Sequence, residues 1–542
     1  MSETVASTVV DALITNGIEH LYCLPGVQND EFFDALYDKQ GLLPPVQARH
    51  EQGAAYMALG AALATGKPQA FCLVPGPGFL NGTAALATAY AVNAPVLALI
   101  GQIPLGAIGK DLGLLHEIPD QLGTMERLTK QATQVTGGND VTAVLNKTFT
   151  ALVSGRPRPV GVEVPVNTWK QPVTSGPIVK AAPLASPAPD TDKIDQAAKL
   201  LAGSRRPMIV VGSGAQAFST EVRQLAEMFD APVMAFRNGR GVLASDHELS
   251  INTPVAHDLW RTVDLVVGLG TRLQTPLSQW GVDEQLQVIH IDIDPQEIGR
   301  SHQPTIGIHA DLADALPGLI QAGQGHEARH ADWKALVRKT KERFNKICLD
   351  QLGPQMAWLS AIRDVLPRNG LFVDELTQVG YVSRFAFPVY EPRTFLSTGY
   401  LGNLGWGFAS ALGAAHARPD VPVVSISGDG GALYTISELA TAMRHNISVT
   451  SIVFNDNAFG NVRRGQIETY NNRPIASDLS SPDFVKLAQS FGAQGLLAST
   501  PDELRTQLAI AIAYKGPTVI EVPVGDFPSP WDFVLMPKLR GK

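Results

Sequence analysis

Short apolar runs alternate along most of the chain with alanine-rich stretches and glycine-rich turns. Between Lys67 and Lys110 there is no charged residue, a length that would suit a membrane-spanning helix. Turn-forming residues interrupt this stretch, however (Pro75, Pro77, Asn81, Asn93 and Pro95). The pattern instead predicts a strand at Ala70–Val74, a glycine loop, a helix and a strand at Val96–Ile100. Continuous apolar strands are typical of parallel sheets that are buried on both faces.

Two stretches break the alternation and predict linkers. Residues 171–190 hold five prolines among small residues, a composition that favours extended chain over helix. Residues 326–355 form a less regular break, part of which, Trp333–Lys346, has the pattern of a charged helix. The chain therefore predicts an α/β protein of three doubly wound parallel-sheet domains. We place these domains at residues 1–170, 191–325 and 356–525, with a C-terminal tail at 526–542.

A repeated pattern links the first of these segments to the third. Leu86-Ala87-Thr88-Ala89 recurs as Leu439-Ala440-Thr441-Ala442, and Asn93 and Val96 recur at the same offset as Asn446 and Val449. In both copies a glycine-rich loop precedes the helix pattern and an apolar run follows it. The repeat predicts two related α/β units, which could build a site between them or between two copies of the chain.

Composition excludes several functional classes. The 542 residues are 45% hydrophobic and 17% charged with a formal net charge of −8, as in a soluble globular protein. Because there is no basic tract, we expect a small-molecule substrate and no nucleic acid. Cys23, Cys72 and Cys348 are far apart in sequence, and the N-terminus lacks the basic and apolar regions of a secretory signal. We therefore expect a cytoplasmic protein that does not bind a membrane.

The sharpest local pattern is a strand that runs into Gly428-Asp429-Gly430-Gly431. Backbone amides at such a turn suit a diphosphate, but the Asp429 carboxylate would repel it unless a divalent cation lies between them. A second strand, from Thr450, runs into Asn455-Asp456-Asn457, and a parallel sheet would bring Asp456 beside Asp429. Carboxylate and carbonyl oxygens are suitable Mg²⁺ ligands. Each turn alone is ordinary, but the two together predict a site for Mg²⁺ and a diphosphate.

This pair of turns resembles the thiamine-diphosphate motif of the acetolactate synthase, pyruvate oxidase and benzoylformate decarboxylase family. The resemblance implies thiamine diphosphate and Mg²⁺ as cofactors, with Asp429, Asp456 and the backbone oxygen of Ala458 as metal ligands. The family more often has Asn at the position of Asp456, so this chain adds a negative charge there. The glycines expected at the diphosphate are Gly428, Gly430 and Gly431, with Thr377 and Gln378 on its far side. Phe459 and Gly460 are also expected to contact the cofactor.

The segment Arg49-His50-Glu51-Gln52-Gly53 resembles the part of the acetolactate synthase pyrimidine-binding domain that carries the cofactor-activating glutamate. A carboxyl group at the 1′-nitrogen of the cofactor drives its pyrimidine to the imino form, and works best in an apolar surrounding. Glu51 heads an alanine-rich helix pattern with no further acid before Asp111. The alternative is that Glu51 only pairs with the helix dipole. Further cofactor contacts are expected from Pro25, Gly26, Gly402 and Leu404, of which Leu404 would bend the cofactor.

The substrate side departs from the acetolactate synthase pattern. His116 stands where those enzymes usually have Gln, and it could donate a proton or orient a keto acid unless it is only a surface-loop residue. Gly465 replaces the Trp of their Val-Arg-x-Trp-Gln pattern. The resemblance implies Glu51 as a catalytic residue, and the chemistry of histidine suggests His116 as a second one. We expect Gln28, Asn29, Phe79, His116 and Arg463 to line the substrate pocket.

The resemblance covers roughly residues 4–523 and is closest to acetolactate synthase large-subunit-like proteins, which implies an enzyme of transferase or lyase type. A carboligase would decarboxylate a 2-keto acid and let the enamine intermediate attack a second carbonyl. A benzoylformate decarboxylase-like enzyme would protonate that intermediate and release an aldehyde. Alternatives are a lyase or carboligase that does not decarboxylate, an oxidase that needs flavin, and a non-catalytic cofactor-binding protein. The presence of Glu51, Asp429 and Asp456 argues against the last.

The middle segment leaves one cofactor open. Met208–Val211 runs into Gly212-x-Gly214, and Val288–Asp292 resembles the strand that approaches the adenosine of FAD in acetolactate synthase and pyruvate oxidase. The acidic residue expected after the next strand is not evident, so FAD is less expected than not. In the family, the pyrimidine-binding domain faces the diphosphate domain of a partner chain. This implies a homodimer at minimum, and we expect a homotetramer.

Overall fold

The computed structural model describes residues 3–325 and 330–541. Residues 326–329, with which the predicted second linker begins, lie outside the described residues. So do Met1 and Ser2 of the predicted first domain and Lys542 of the predicted C-terminal tail. The described chain packs as two compact units. The first comprises residues up to 184, 398–498 and 506–523, and the second comprises 185–397, 499–505 and residues from 524 onward. The predicted domain boundaries stay predictions.

The first sheet is built from the N-terminal part of the chain. Its strands are β1 (Leu21–Cys23), β2 (Pro45–Gln47), β3 (Gln69–Leu73), β4 (Val96–Gln102), β5 (Gln131–Gln134) and β6 (Val160–Pro165). The helices are α1 (Val5–Thr15), α2 (Asp30–Tyr37), α3 (Glu51–Thr65), α4 (Pro77–Val92), α5 (Gln121–Leu128) and α6 (Val141–Val153). The order is β2-β1-β3-β4-β6-β5, and all neighbours are parallel. The strands predicted around the uncharged stretch are confirmed as β3 and β4, whose residues are all buried.

The second sheet lies in the second unit. Its strands are β7 (Pro207–Val211), β8 (Val233–Ala235), β9 (Ser250–Ile251), β10 (Leu265–Leu269), β11 (Gln287–Asp292) and β12 (Ile306–His309). The helices are α7 (Thr191–Gly203), α8 (Ser219–Met228), α9 (Thr253–Leu259) and α10 (Leu312–Gly323), and a π-helix spans Thr275–Trp280. The order β12-β11-β10-β7-β8-β9 is that of a Rossmann fold, since the chain starts in the middle and fills each side in turn. The predicted central Rossmann-like domain is confirmed.

The third sheet follows a long helix, α11 (Ala331–Val365), that is kinked at Leu352. The strands are β13 (Leu371–Val373), β14 (Phe395–Leu396), β15 (Val423–Gly428), β16 (Thr450–Asn455), β17 (Gln494–Leu497) and β18 (Thr518–Pro523). The helices are α12 (Gln378–Ala386), α13 (Trp406–Ala417), α14 (Asp429–Ala432), α15 (Leu439–Arg444), α16 (Gly460–Thr469), α17 (Phe484–Ser490), α18 (Pro501–Ala513) and α19 (Trp531–Val534). The fold is therefore three six-stranded parallel sheets flanked by helices, as predicted.

The repeat in the sequence has a counterpart in the fold. Strands β15-β16-β18-β17 follow the same order as β3-β4-β6-β5. Asn93, just after α4, and Asn446, between α15 and β16, recur at the same offset. Both have the left-handed conformation, with φ of 60° and 52°. Asn tolerates this conformation better than most residues, which explains why it recurs where a helix turns into the next strand.

The two predicted linkers differ in structure. Residues 173–190 form neither helix nor strand. The described part of 326–355, in contrast, is helical from Ala331 onward, and α11 continues beyond it to Val365. Within the described residues, the helices are all too short or too polar to cross a lipid bilayer.

Candidate active site

Glu51 is the first residue of α3, and the packing of this helix fixes its position. Almost the whole of α3 is buried. A Cβ added at Gly60 would lie 1.9 Å from the carbonyl oxygen of Ser410 in α13, and one at Gly413 would lie 1.9 Å from that of Met57. The two helix backbones therefore touch directly, which only glycine permits at these positions. The alanine-rich pattern of α3 follows from this close packing.

The glycine loop at residues 76–78 lies between Glu51 and His116. A Cβ at Gly78 would lie 3.7 Å from Oε1 of Glu51, whereas one at Gly76 would lie 2.4 Å from the carbonyl oxygen of His116. The side chain of Asn81, in the second turn of α4, donates to Oε2 of Glu51 at 3.0 Å. The structure thus brings the two residues predicted to be catalytic to the two sides of one loop.

The hydrogen bonds of His116 define its tautomer. Nε2 of Gln28 donates to the carbonyl oxygen of Leu115 at 3.3 Å, so Oε1 of Gln28 faces Nδ1 of His116 at 3.1 Å. An amide oxygen only accepts hydrogen bonds, so this contact fits the tautomer with the hydrogen on Nδ1. His116 is half-buried in a loop, at a φ of 68°. It is therefore a loop residue with a hydrogen-bonded, oriented ring.

The other residues predicted at the substrate lie in different surroundings. Asn29 and Phe79 are buried, and Nδ2 of Asn29 donates to the carbonyl oxygen of Leu73 at 2.9 Å. Arg463 is on α16 and pairs with Asp478 at 3.2 Å. The structure brings Gln28 and His116 together, and the role of the other three at a substrate stays a prediction.

The two predicted metal-binding carboxylates lie at one edge of the third sheet. Strands β15 and β16 are parallel neighbours with Gly428 opposite Phe454, so the turns that follow them adjoin. Asp429 is fully buried, and the Ala458 amide donates to Oδ1 of Asp456 at 3.1 Å. Burial, and then the charge of Asp429, raises the pKa of Asp456 to about 6. The arrangement is a pair of carboxylates that repel each other.

One oxygen of this pair has no protein partner. Oδ2 of Asp429 accepts from the hydroxyl of Ser481 at 2.5 Å, whereas Oδ1 is buried and accepts no hydrogen bond from any described residue. An unsatisfied buried carboxylate beside a second carboxylate is unfavourable, and either a proton or a cation between them would relieve the repulsion. The described residues contain no cluster of three His, Cys, Asp or Glu side chains suited to a metal. Two carboxylates, with backbone or neutral side-chain oxygens as further ligands, fit a hard cation such as Mg²⁺.

The residues predicted to contact a diphosphate lie on these same two turns. Gly428 ends β15, α14 carries Gly430 and Gly431, and α16 begins at Gly460. A Cβ at Gly430 would lie 2.6 Å from Cε1 of Phe459, so glycine is required for the phenyl ring to cover the turn. The two turns are therefore packed as one unit, with the backbone amides of the first beside the aromatic ring of the second.

Four other predicted cofactor residues lie at the ends of elements. Pro25 and Gly26 follow β1, and a Cβ at Gly26 would lie 2.5 Å from Cγ1 of Val74. In the second unit, Thr377 and Gln378 are buried at the N-terminus of α12, where backbone amides point outward from the helix. The contact with Val74 accounts for the glycine at position 26, whereas the N-terminus of α12 suits close approach of a ligand to its backbone amides.

The loop that carries Gly402 and Leu404 precedes α13 in the first unit. Gly402 has a φ of 63°, which favours glycine. Asn403, between the two, donates to the hydroxyl of Tyr56 in α3 and accepts from the hydroxyl of Thr88 in α4 at 3.3 Å. This loop is therefore held against the helices that follow Glu51 and the Gly76–Gly78 loop.

Two side chains at this site were not predicted from the sequence. Ser481 reaches Asp429 because residues 477–481 run antiparallel to the turn after β16, with a bridge between Ala458 and Asp478. Glu438 is fully buried and accepts hydrogen bonds from the backbone of Arg49 and His50, just before Glu51. An acid between apolar residues of a helix pattern was the available signal for Glu438, whereas Ser481 gives none.

The Gly-x-Gly turn of the central sheet has a structural explanation. A Cβ at Gly212 would lie 2.3 Å from the carbonyl oxygen of Gly270, and one at Gly214 would lie 2.9 Å from Cα of Gly270. The turn after β7 thus packs backbone to backbone against the turn after β10. Because this packing requires the glycines, they carry no argument for FAD, and the prediction on that cofactor stays open.

Comparison with protein-family models defines the class of protein. Residues 3–124 match the N-terminal binding domain of thiamine pyrophosphate enzymes, residues 194–319 match their central domain, and residues 377–522 match their C-terminal binding domain. The chain belongs to the thiamine pyrophosphate enzyme family, and thiamine diphosphate is its cofactor. The resemblance noted in the sequence is confirmed.

Within this family the protein is acetolactate synthase-like. It is 32% identical over 545 residues to a probable acetolactate synthase large subunit of Methanocaldococcus jannaschii, covering 95% of this chain and 91% of the relative. It is 30% identical over 536 residues to the acetolactate synthase isozyme 1 large subunit of Escherichia coli, covering 96% and 93%. A probable 2-ketoarginine decarboxylase of Pseudomonas aeruginosa is 28% identical over 529 residues, covering 96% and 94%. The protein is therefore an enzyme of the transferase or lyase type.

Proposed function

We propose that the protein uses thiamine diphosphate and Mg²⁺ to break or form the carbon–carbon bond next to the carbonyl of a 2-keto acid, as an acetolactate synthase-like carboligase. The observation that carries this proposal is the buried Asp429–Asp456 pair with one unsatisfied oxygen. A cation between the two carboxylates would offset their repulsion, and it would neutralise a diphosphate held by the adjoining glycine turn.

When bound, thiamine diphosphate supplies the nucleophilic carbon that adds to the keto acid and holds the electrons that remain after carbon dioxide leaves. Asp429, Asp456 and the backbone oxygen of Ala458 would hold the cation. Glu51 would hold a proton at the 1′-nitrogen of the pyrimidine through Oε1, because Oε2 already accepts from Asn81. His116 would give or take a proton at the substrate through Nε2, since Nδ1 is committed to Gln28.

A second candidate function is simple decarboxylation with release of an aldehyde. The observation that favours it is the His116 ring, whose protonated Nε2 could deliver the proton that replaces the lost carboxylate. Glutamine cannot do this. One of the relatives above is named a 2-ketoarginine decarboxylase, whereas two are acetolactate synthases. Similarity over the whole chain supports carboligation, and His116 supports protonation.

We also propose a homodimer at minimum, and a homotetramer as the complete assembly. Several large apolar side chains of the first unit are more than half exposed, and α16, which follows Asp456 and Ala458 in the chain, has no buried residue. These exposed side chains include Val27, Leu112, Leu115, Val462, Tyr470 and Ile475. A second copy of the chain is the partner that we expect to cover them. We expect a cytoplasmic location, because the three cysteines are free and buried, and no nucleic-acid or membrane partner.

The first test is carbon dioxide release from a panel of 2-keto acids with thiamine diphosphate and Mg²⁺, with each product identified by mass spectrometry. An acyloin acid would establish the carboligase, and an aldehyde would establish the decarboxylase. Lack of turnover of every acid and of every acid–aldehyde pair would overturn both.

The catalytic role of Glu51 is tested by Glu51→Gln, for which Glu31→Gln is a matched control. Glu31 lies in the first turn of α2, as Glu51 does in α3, so both pair with a helix dipole. We expect Glu51→Gln to lower kcat about a hundredfold or more, which is the usual share of acid–base catalysis, and Glu31→Gln to leave it unchanged. Equal kcat for the two variants would leave only the dipole role for Glu51.

A further inference from the structure

Glu438 is a buried carboxylate that the proposed chemistry does not use. It ends the short helical turn Ile436–Glu438 that precedes α15, nine positions after Asp429 in the chain. Its side chain is completely removed from solvent. Burial raises the pKa of Glu438, while hydrogen bonds from Thr441 and from backbone amides oppose that shift. A carboxylate in this position requires partners, and all of them lie within the first unit.

Those partners are the backbone amides immediately before Glu51. Oε1 of Glu438 accepts from the amide of His50 at 3.0 Å, and Oε2 accepts from that of Arg49 at 3.0 Å. Oε2 also accepts from the hydroxyl of Thr441 at 2.6 Å. Because every one of these groups is a donor, the site favours a carboxyl group over an amide, whose hydrogens would face other donors.

The approach of Glu438 depends on a glycine in α3. A Cβ at Gly53 would lie 2.1 Å from Oε1 of Glu438 and 2.5 Å from its Cδ. Glycine within a helix is otherwise destabilising by about 1 kcal/mol relative to alanine. Gly53 therefore leaves the space that the carboxylate occupies beside the first turn of α3.

Two further contacts hold the same segment. The hydroxyl of Thr441 also lies 3.2 Å from the backbone oxygen of Gln47, so its one hydrogen is shared between that oxygen and Glu438. The amide of Gln47 donates to Nε2 of His445 at 3.1 Å. Residues 47–50, which link β2 to α3, are thus held by three side chains from residues 438–445. The backbone contact of α3 with α13 fixes the middle of α3, whereas these bonds fix its first residue.

We propose that Glu438 is a positioning residue that sets the place of the Glu51 carboxyl group by holding the backbone of Arg49 and His50. This inference rests on the proposed role of Glu51 in activating the cofactor. Glu438 itself touches neither cofactor nor substrate in this assignment. A shift of about 1 Å in a catalytic group can reduce turnover about a hundredfold, so loss of the carboxylate has a large effect on kcat.

The test compares Glu438→Gln with Glu297→Gln, which also replaces a buried carboxylate by an amide, but in the second unit. We expect Glu438→Gln to lower kcat about ten- to a hundredfold while the KM for the keto acid changes less than about threefold. In the cofactor-free protein, hydrogen–deuterium exchange of the peptide that contains Arg49–Gly53 becomes faster. Glu297→Gln changes neither quantity. Unchanged exchange, or an unchanged kcat per folded site, overturns the inference.

Two variants cover the case in which Glu438→Gln does not fold. Gly53→Ala keeps the carboxylate but displaces it, and Thr441→Val removes one of its donors. Both are expected to show the same pattern in weaker form, and a normal kcat in both overturns the inference. The proposed function fails separately, since it is refuted by an active Glu51→Gln. If Glu51→Gln is inactive and Glu438→Gln is fully active, only the positioning role is wrong.

Discussion

Acidification should destabilise the first unit through His416, in the last turn of α13. Its ring packs edge-on against His20 with centroids 4.3 Å apart, and its Nδ1 lies 3.3 Å from the hydroxyl of Tyr22. Burial, and then the charges of His20 and His445, lowers the pKa of His416 to about 4 from an ordinary value of 6.5. The prediction is therefore tested by changing the pH between 6.5 and about 4, and by comparing the natural chain with His416→Gln.

The size of the effect follows from the two pKa values. Between pH 6.5 and about 4 the unfolded chain binds a proton at His416 that the folded protein does not, so stability falls as the pH falls. At about 1.4 kcal/mol for each pH unit, the full loss is about 3 kcal/mol, and about 2 kcal/mol is lost by pH 5. Burial also lowers the pKa of His20 and of His445, which adds to the loss. The raised pKa values of Glu163 and Glu438 make the folded protein more stable as the pH falls. The pH dependence of the natural chain's unfolding free energy therefore does not isolate the contribution of His416.

The assay is urea unfolding of the cofactor-free protein at pH 7.5 and pH 5, for the natural chain and for His416→Gln. Glutamine loses some packing at both pH values but does not titrate. The difference in unfolding free energy between the two proteins should therefore shrink by about 2 kcal/mol at pH 5. A difference that stays constant within about 0.5 kcal/mol would refute the reasoning, because the burial of His416 would then have no linkage to folding.

Three other predictions concern the turn at Asp429, the contact of α3 with α13, and the C-terminal residues. Mg²⁺ at a hundred times its dissociation constant should stabilise the natural chain by about 2.7 kcal/mol in thermal unfolding, and equal stabilisation of Asp429→Asn would argue against this site. Gly60→Ala should lower the free energy of unfolding in urea by about 1–3 kcal/mol, because the added Cβ meets a backbone oxygen. Gly318→Ala, whose Cβ would have an ordinary contact, should not lower it. Arg540→Ala should increase proteolysis of the C-terminus, because the buried guanidinium donates to Trp260 and Val263 and pairs with Asp283; unchanged cleavage would show that these bonds do not hold the tail.

Much of the fold could be predicted because its signals are local. Continuous apolar runs identify β3 and β4, and the polar turns at Asp429 and Asp456 are separated by a single strand–helix–strand unit. Parallel neighbours place their carboxyl ends side by side, so the spacing alone brings the two carboxylates together. The repeated Asn93 and Asn446 are equally local, since each has the left-handed conformation just after its own helix.

Contacts between distant segments could not be predicted in this way. Glu438 and Arg49 are 389 positions apart, and Gln28 and His116 are 88 apart. Nothing in the pattern around Ser481 points to Asp429, because a strand-like crossing of residues 477–481 creates the contact. The Gly212-x-Gly214 turn shows the converse problem. It has the pattern of a nucleotide-binding loop, yet close packing against Gly270 accounts for both glycines.

The buried acids of the first unit show how partners separate a structural role from a ligand-binding one. Glu163, Glu438 and Asp429 are all fully buried. Glu163 accepts from the side-chain amides of three glutamines, and Glu438 accepts from backbone amides and a hydroxyl, so the protein itself compensates for their desolvation. Asp429 keeps one oxygen without a donor and lies beside a second acid. Since burial is the same in all three, the missing donor rather than the burial is what indicates a cation at Asp429.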